Sequence, residues 1–184
     1  MFGWWAIAVD GKTLRGSRTK DQSATTLIAA MTHGGQVLAQ RQIDGKSNEI
    51  PAFAPLLDSI DLTGSEIAVD ALHTQHAHAS HLHQRAAHYL AVAKKNHPGL
   101  HDKVRCLPWG HRLDHYERSR AHHRDEIRRL KIAAFAHLDY PHACQALQFV
   151  RRRRDLAARK LTLERIYLVT SLPSGVATGT ELAA

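Results

Sequence analysis

The chain has 184 residues, enough for one ordinary domain with a proper core, and 43% of them are apolar. No apolar run reaches the roughly 18 residues of a membrane helix, and Met1-Phe2-Gly3-Trp4-Trp5-Ala6 lacks the basic region and longer apolar segment of a secretion signal, so a membrane partner is not expected. The net charge of +8 is uneven: residues 1–100 hold 9 Lys/Arg against 8 Asp/Glu, and residues 101–184 hold 16 against 9, which fits a polyanion such as nucleic acid or, equally, a basic solvated surface.

Residues 6–15 read as a first strand. Its Ile7-Ala8-Val9 run leads straight into Asp10, and the same four letters return at Ile67-Ala68-Val69-Asp70. A continuous apolar run bounded by turn signals is a buried strand. An acid at its end sits at the rim of the core, where a lone carboxylate is costly. Two such strands side by side would aim two carboxylates at one point, a natural place for a divalent metal. Asp10-Gly11 is also a strong hairpin signal, which would make Asp10 a plain turn residue.

Thr25–Thr32 is apolar and β-branched enough for a second strand, and His33-Gly34-Gly35 is a turn. Gln36–Ile43 alternates and closes a three-strand antiparallel meander. Ser47-Asn48-Glu49 then reads as a helix cap, followed by Pro51 and by Ile50, Phe53, Leu56, Leu57 and Ile60 at helical spacing. Glu66–Ala71 is a fourth strand, Thr74–Ala87 a helix crowded with histidines, and His88–Ala93 a fifth strand. Three strands followed by helix, strand, helix and strand imply an α/β fold with a mixed sheet and helices on its faces.

Beyond Pro98 the pattern weakens. Leu100–Asp114 is loop-like, while Arg128–Phe135, Gln145–Arg154 and Arg165–Leu172 read as strands. The tail Ser174–Ala184 reads as structureless. Cys106 and Cys144 show no metal or redox spacing and suggest free thiols in a reducing cytoplasm.

Among His73, His76, His78, His81, His83 and His88, no pair within Thr74–Ala87 has i, i+4 spacing. A surface helix with partly exposed histidines is expected in preference to a zinc site. Ala121–Arg129 mixes acids and bases. It forms either a solvated ion-pair lattice or a site in which Glu126 is an acid and the arginines hold phosphates. In the Arg151–Arg154 run, alternate side chains of a strand point to opposite faces, so at most half can line one groove; a charged edge strand is the plain alternative.

In order along the chain, Val9–Ser17 resembles the first acidic motif of bacterial DDE transposases of the ISAs type, also called H-repeat-associated proteins. Gln40–Ile50 is similar to the segment that follows it there, and Asp70-Ala71-Leu72-His73-Thr74-Gln75 to the second acidic motif. Val92–Pro98 resembles the family's Lys-x-Asn strand end, Ala121–Lys131 its His-Gly-Arg-x-Glu-x-Arg segment, and Tyr167–Leu172 its Tyr-x-x-(Thr/Ser)-Ser-Leu strand.

The resemblance spans residues 6–172 and implies a ribonuclease-H-like core at residues 6–98 and a basic β-rich insertion at 99–172; the structureless tail makes 173–184 a disordered end. It further implies Mg2+- or Mn2+-dependent cutting and joining of DNA at insertion-sequence ends. Asp10 and Asp70 would be the catalytic, metal-binding acids and Glu126 a substitute third acid. Lys12, Arg15, Lys94, Arg124, Arg128, Arg151 and Arg153 are the expected DNA contacts, with Asn96 near the same rim.

The family's usual N-terminal helical region and its later His-Trp-x-Ile-Glu-Asn helix, which carries a third acid, are not in the sequence. The chain therefore reads as truncated at both ends and impaired alone, in a bacterial, nucleoid-associated setting, with room for a homodimer. In the Ala121 segment the usual glycine is His123 and the usual apolar residue Asp125, so backbone strain and a disturbed strand are expected there. A non-catalytic basic DNA-binding remnant is the alternative function, and a zinc-binding histidine protein a third.

Overall fold

The computed structural model describes residues 6–20, 23–43, 49–135 and 138–183. Ser47 and Asn48 of the expected helix cap, and Trp4 and Trp5, lie outside them. The chain divides into two compact units, Met1–Ala91 and Val92–Ala184.

In the first unit β1 (Ala6–Thr13), β2 (Thr26–Thr32) and β3 (Val37–Ile43) form the expected antiparallel meander. A 3₁₀ turn (Ile50–Ala52) and α1 (Phe53–Leu57) lead to β4 (Glu66–Val69), and α2 (His76–Gln84) leads to β5 (His88–Ala93). β4 pairs in parallel with both β1 and β5, giving the order β3-β2-β1-β4-β5. This is the expected ribonuclease-H-like mixed sheet. Strand alternation builds its core: Ile7 and Val9 on β1, Ile67 and Val69 on β4, and Tyr89 and Ala91 on β5 are buried. Helix spacing completes it, since Phe53, Leu56 and Leu57 on α1 and Ala79 and Leu82 on α2 are buried as well. Asp10-Gly11 is not a hairpin turn. β1 runs through it, with Asp10 opposite Ala29 and Gly11 opposite Ile28.

The second unit contains α3 (Pro98–Arg105), β6 (His115–Ala121), β7 (Arg124–Ala134), β8 (Gln145–Asp155), β9 (Leu161–Thr170) and α4 (Gly179–Ala183). Its four strands are antiparallel neighbours in the order β9-β8-β7-β6. Part of the span expected to be a loop is α3: Pro98 starts it, where a missing N–H costs nothing, and Leu100 and Val104 bury one face. The tail expected to be structureless carries α4, whose Leu182 is buried. Between β6 and β7, His122 (φ 47°) and His123 (φ 59°) take the two left-handed positions of a tight hairpin turn, so the strain expected at His123 is present. Asp125 does not disturb its strand. It lies in β7, where Arg118 holds both carboxylate oxygens at 2.7 and 2.8 Å.

Candidate functional site

The repeated tetrapeptide pairs with itself. Ile7 stands opposite Ile67, Ala8 opposite Ala68 and Val9 opposite Val69 in the parallel β1/β4 register. The next residue on each strand line is the aspartate: Asp70 follows the last residue of β4, and Asp10, still inside β1, comes one step past the last parallel pair, on strands about 4.8 Å apart. Both are exposed. Asp70 is held by its own turn: Oδ1 accepts the N–H groups of Leu72 (2.9 Å) and His73 (3.2 Å), and the Thr74 hydroxyl donates to the Asp70 carbonyl at 3.1 Å.

Glu49 was expected to help cap a helix. Its side chain makes no such bond. Its carboxylate lies instead against Gly11, in the space that a Cβ on Gly11 would fill. Burial raises the Glu49 pKa, and the charges of Asp70 and Asp10 raise it further. One Glu49 oxygen is 3.5 Å from Nε2 of His73.

His73 is 1% exposed, and neither of its ring nitrogens has a hydrogen-bond partner. Burial lowers its pKa, against the pull of Asp70 and Asp10, which favours the neutral ring. Sequence reasoning read Glu49 only as part of a helix cap and His73 only as one of a histidine-rich stretch. The available signal was their placement: Glu49 falls in a segment quoted for the resemblance, and His73 is three residues after Asp70.

The histidine-rich stretch is not simply a surface helix. His73 and His78 are core residues stacked on Phe53, with centroids 5.1 and 4.0 Å from its ring. The two ring nitrogens of His78 lie 3.1 Å from the His73 carbonyl and 3.2 Å from the Ile50 carbonyl, and the neutral ring donates its one N–H to one of them. Among the described residues, no three His, Cys, Asp or Glu side chains form a ready-made metal cage. Two neighbouring carboxylates with a third beside them nevertheless match the oxygen preference of Mg2+ or Mn2+. Such ions keep several waters and need only one or two direct carboxylates. The residues present fit the ion.

Glu126 belongs to the second unit, where arginines surround its carboxylate. It is buried on β7, where Oε1 accepts from Arg128 (2.8 Å) and Arg151 (2.9 Å), and Oε2 from Arg151 (3.1 Å) and Arg153 (2.9 Å). These guanidinium groups, Arg151 foremost, hold its pKa down at about 2. Every carboxylate oxygen is already engaged, so the acid expected as a substitute ligand is the centre of an ion-pair knot. Three of the expected DNA contacts, Arg128, Arg151 and Arg153, are its partners.

The strand register puts the alternate arginines on the opposite face. Arg152 and Arg154 of β8 share it with Arg118 and Arg120 of β6 and with Arg129 of β7. All five are exposed, and Arg129 lies 5.9 Å above the Tyr116 ring. Asp125, held by Arg118 and Arg120, is the acid among them. Lys12 and Arg15 are exposed near Asp10 in the sequence, and Arg124 is exposed at the start of β7. Lys94 is exposed in the second unit, beside a pocket lined also by His101, Glu164 and Tyr167.

Residues 3–171 match the family model described as "Transposase DDE domain". A protein of Escherichia coli O157:H7 named "Putative transposase YncI" is 40% identical over 98 residues, 52% of this chain and 25% of its own length. "H repeat-associated putative transposase YhhI" of Escherichia coli K12 is 37% identical over 91 residues, 48% of this chain and 24% of its own length. The chain thus spans about a quarter of the length of these two relatives. In fold it is similar to the piggyBac transposase in a synaptic complex with hairpin DNA, with a TM-score of 0.50 at 9% identity over 96% of this chain and 35% of that one. No helix among the described residues is long and apolar enough to cross a membrane. With nearly its whole length matched by the family model, the chain belongs to the DDE transposase family.

Proposed function

We propose that this chain is catalytic-core sequence of an H-repeat-associated insertion-sequence transposase that cuts and joins DNA at element ends. One observation carries the reading: Ile7-Ala8-Val9 and Ile67-Ala68-Val69 pair in register, so that Asp10 and Asp70 follow at adjacent positions where the parallel pairing of β1 and β4 ends. Asp10 and Asp70 would hold Mg2+ or Mn2+. When bound, the ion supplies activation of a water or a 3′-hydroxyl and charge stabilisation at phosphorus.

The chain's own residues do the positioning. The Leu72 and His73 amides fix one Asp70 oxygen, Oδ1. The β1 ladder to Ala29 fixes the backbone of Asp10. Lys12 and Arg15 follow Asp10 closely enough in sequence to take phosphate charge. The exposed face bearing Arg118, Arg120, Arg129, Arg152 and Arg154 supports salt-dependent, sequence-independent attachment to the DNA backbone. The proposed setting is the bacterial cytoplasm, at the nucleoid, where two element ends are most simply engaged by two copies of the chain.

Calorimetric titration of Mn2+ into the chain and into the Asp10→Ala/Asp70→Ala variant tests the site. Binding by the parent that disappears in the variant is expected. Identical heats from the two proteins would remove the proposed site and leave a non-catalytic DNA-binding remnant as the reading.

A further inference from the structure

We infer that Glu49 is a third carboxylate of the Asp10–Asp70 cation site and that the buried His73 ring positions it. The inference rests on the reading of Asp10 and Asp70 as that site. Glu49 lies outside the β1 and β4 strands that carry the aspartates, in the connection that follows β3. Its carboxylate nevertheless reaches the backbone of Gly11, the residue after Asp10, and any Cβ at Gly11 would occupy the same space. Glycine at this position is what lets the third acid come in beside the first.

The second observation is His73. A polar ring 1% exposed should have its nitrogens satisfied, and here both lack a hydrogen-bond partner. Nε2 faces a Glu49 oxygen at 3.5 Å, and a shift of about half an ångström would make that contact a full hydrogen bond. The ring itself cannot wander, because it is stacked on Phe53 and lies 5.4 Å from the ring of His78. A fixed imidazole that orients a carboxylate is how second residues around a metal set the angle of its ligands. Such an ion keeps much of its water. Glu49 can therefore contribute through its charge at the edge of the hydration shell without closing a tight cage.

The test is Mn2+ calorimetry on the full chain. Glu49→Gln keeps size and removes charge. His73→Phe keeps the stack and removes both nitrogens. Each is expected to weaken Mn2+ at least about tenfold, while melting without the ion shows whether the variants fold. In the Glu49→Gln background, His73→Phe should have no further effect on affinity; a merely structural histidine would act in both backgrounds. Gly11→Ala, which displaces the Glu49 carboxylate and leaves both aspartates in place, should reproduce the loss and stands in if Glu49→Gln does not fold.

Affinity within about twofold of the parent in both Glu49→Gln and Gly11→Ala overturns the inference, provided that Asp10→Ala/Asp70→Ala still abolishes binding. Binding that survives Asp10→Ala/Asp70→Ala, or a parent chain that binds no Mn2+, overturns the underlying reading as well.

Discussion

Glu126→Gln keeps the side chain's size but removes the charge that three guanidinium groups share. It also turns an amide N–H2 toward one of them. In the parent, four hydrogen bonds of 2.8, 2.9, 3.1 and 2.9 Å hold the carboxylate, and its pKa sits at about 2 against an ordinary 4.5. At 1.36 kcal/mol per unit the whole difference would be worth about 3 kcal/mol. Arg128, Arg151 and Arg153 are 39%, 32% and 36% exposed, so solvent screens the pairs. The expected loss at pH 7 is about 1–2 kcal/mol. A carboxylate whose pKa is depressed by folding stabilises the native state above its unfolded pKa. That stabilisation fades as pH falls through the folded value. The gap between parent and variant should thus be full above pH 4.5 and close on the way to about pH 2. Urea unfolding followed by circular dichroism at pH 7, 4 and 3 measures it. Equal midpoints at pH 7, or a gap that stays constant down to pH 3, would refute the knot as a stabilising element.

The register also separates the arginine run into two kinds of residue. Arg152→Ala/Arg154→Ala should lower the salt slope of duplex-DNA binding by about 2, read by fluorescence anisotropy, with little change in stability. Arg151→Ala/Arg153→Ala should instead destabilise the fold, because both partner Glu126; the reverse pattern would mean that the DNA lies on the other face. Phe53→Ala should cost about 3–5 kcal/mol in urea unfolding, since the fully buried ring supports both His73 and His78. Glu66 has a buried Oε1 without a hydrogen-bond partner, and burial raises its pKa to about 7. The native state therefore holds its proton longer than the unfolded chain, and stability falls between about pH 4.5 and 7. Glu66→Gln should gain about 1–3 kcal/mol at pH 8 and little at pH 4, and a gain independent of pH would exclude this cause.

The first unit was legible because its signals are local and apolar. Ile7-Ala8-Val9 and Ile67-Ala68-Val69 are short buried runs, and their echo implied neighbouring strands with aspartates at matching ends. Glu49 was not legible, since nothing within its own segment says that its carboxylate meets Gly11, 38 positions earlier in the chain. The burial of His73 and His78 was equally hidden, because it is imposed by Phe53 from another helix. In the second unit β6 was missed for a different reason. From Tyr116 to Ala121 it is exposed on both faces, so it carries no hydrophobic period to detect. Pro98 was read as closing a strand, although it equally opens a helix, and only the burial of Leu100 and Val104 decides between the two.

The pairing of β7 with β8 has a kinetic side. Glu126 stands opposite Arg153, yet a slip of one residue would offer it Arg152 or Arg154 instead, so the arginine end of the hairpin accepts several alignments with similar chemistry. Alignment has to be chosen at the other end, where Leu130 meets Phe149 and Ile132 meets Leu147, next to the connection that joins the strands. Zipping from that connection would set the correct match before the first arginine arrives. Leu147→Ala should accordingly slow refolding, whereas Arg153→Ala should mainly speed unfolding; stopped-flow kinetics showing the opposite would place the first contacts among the charges.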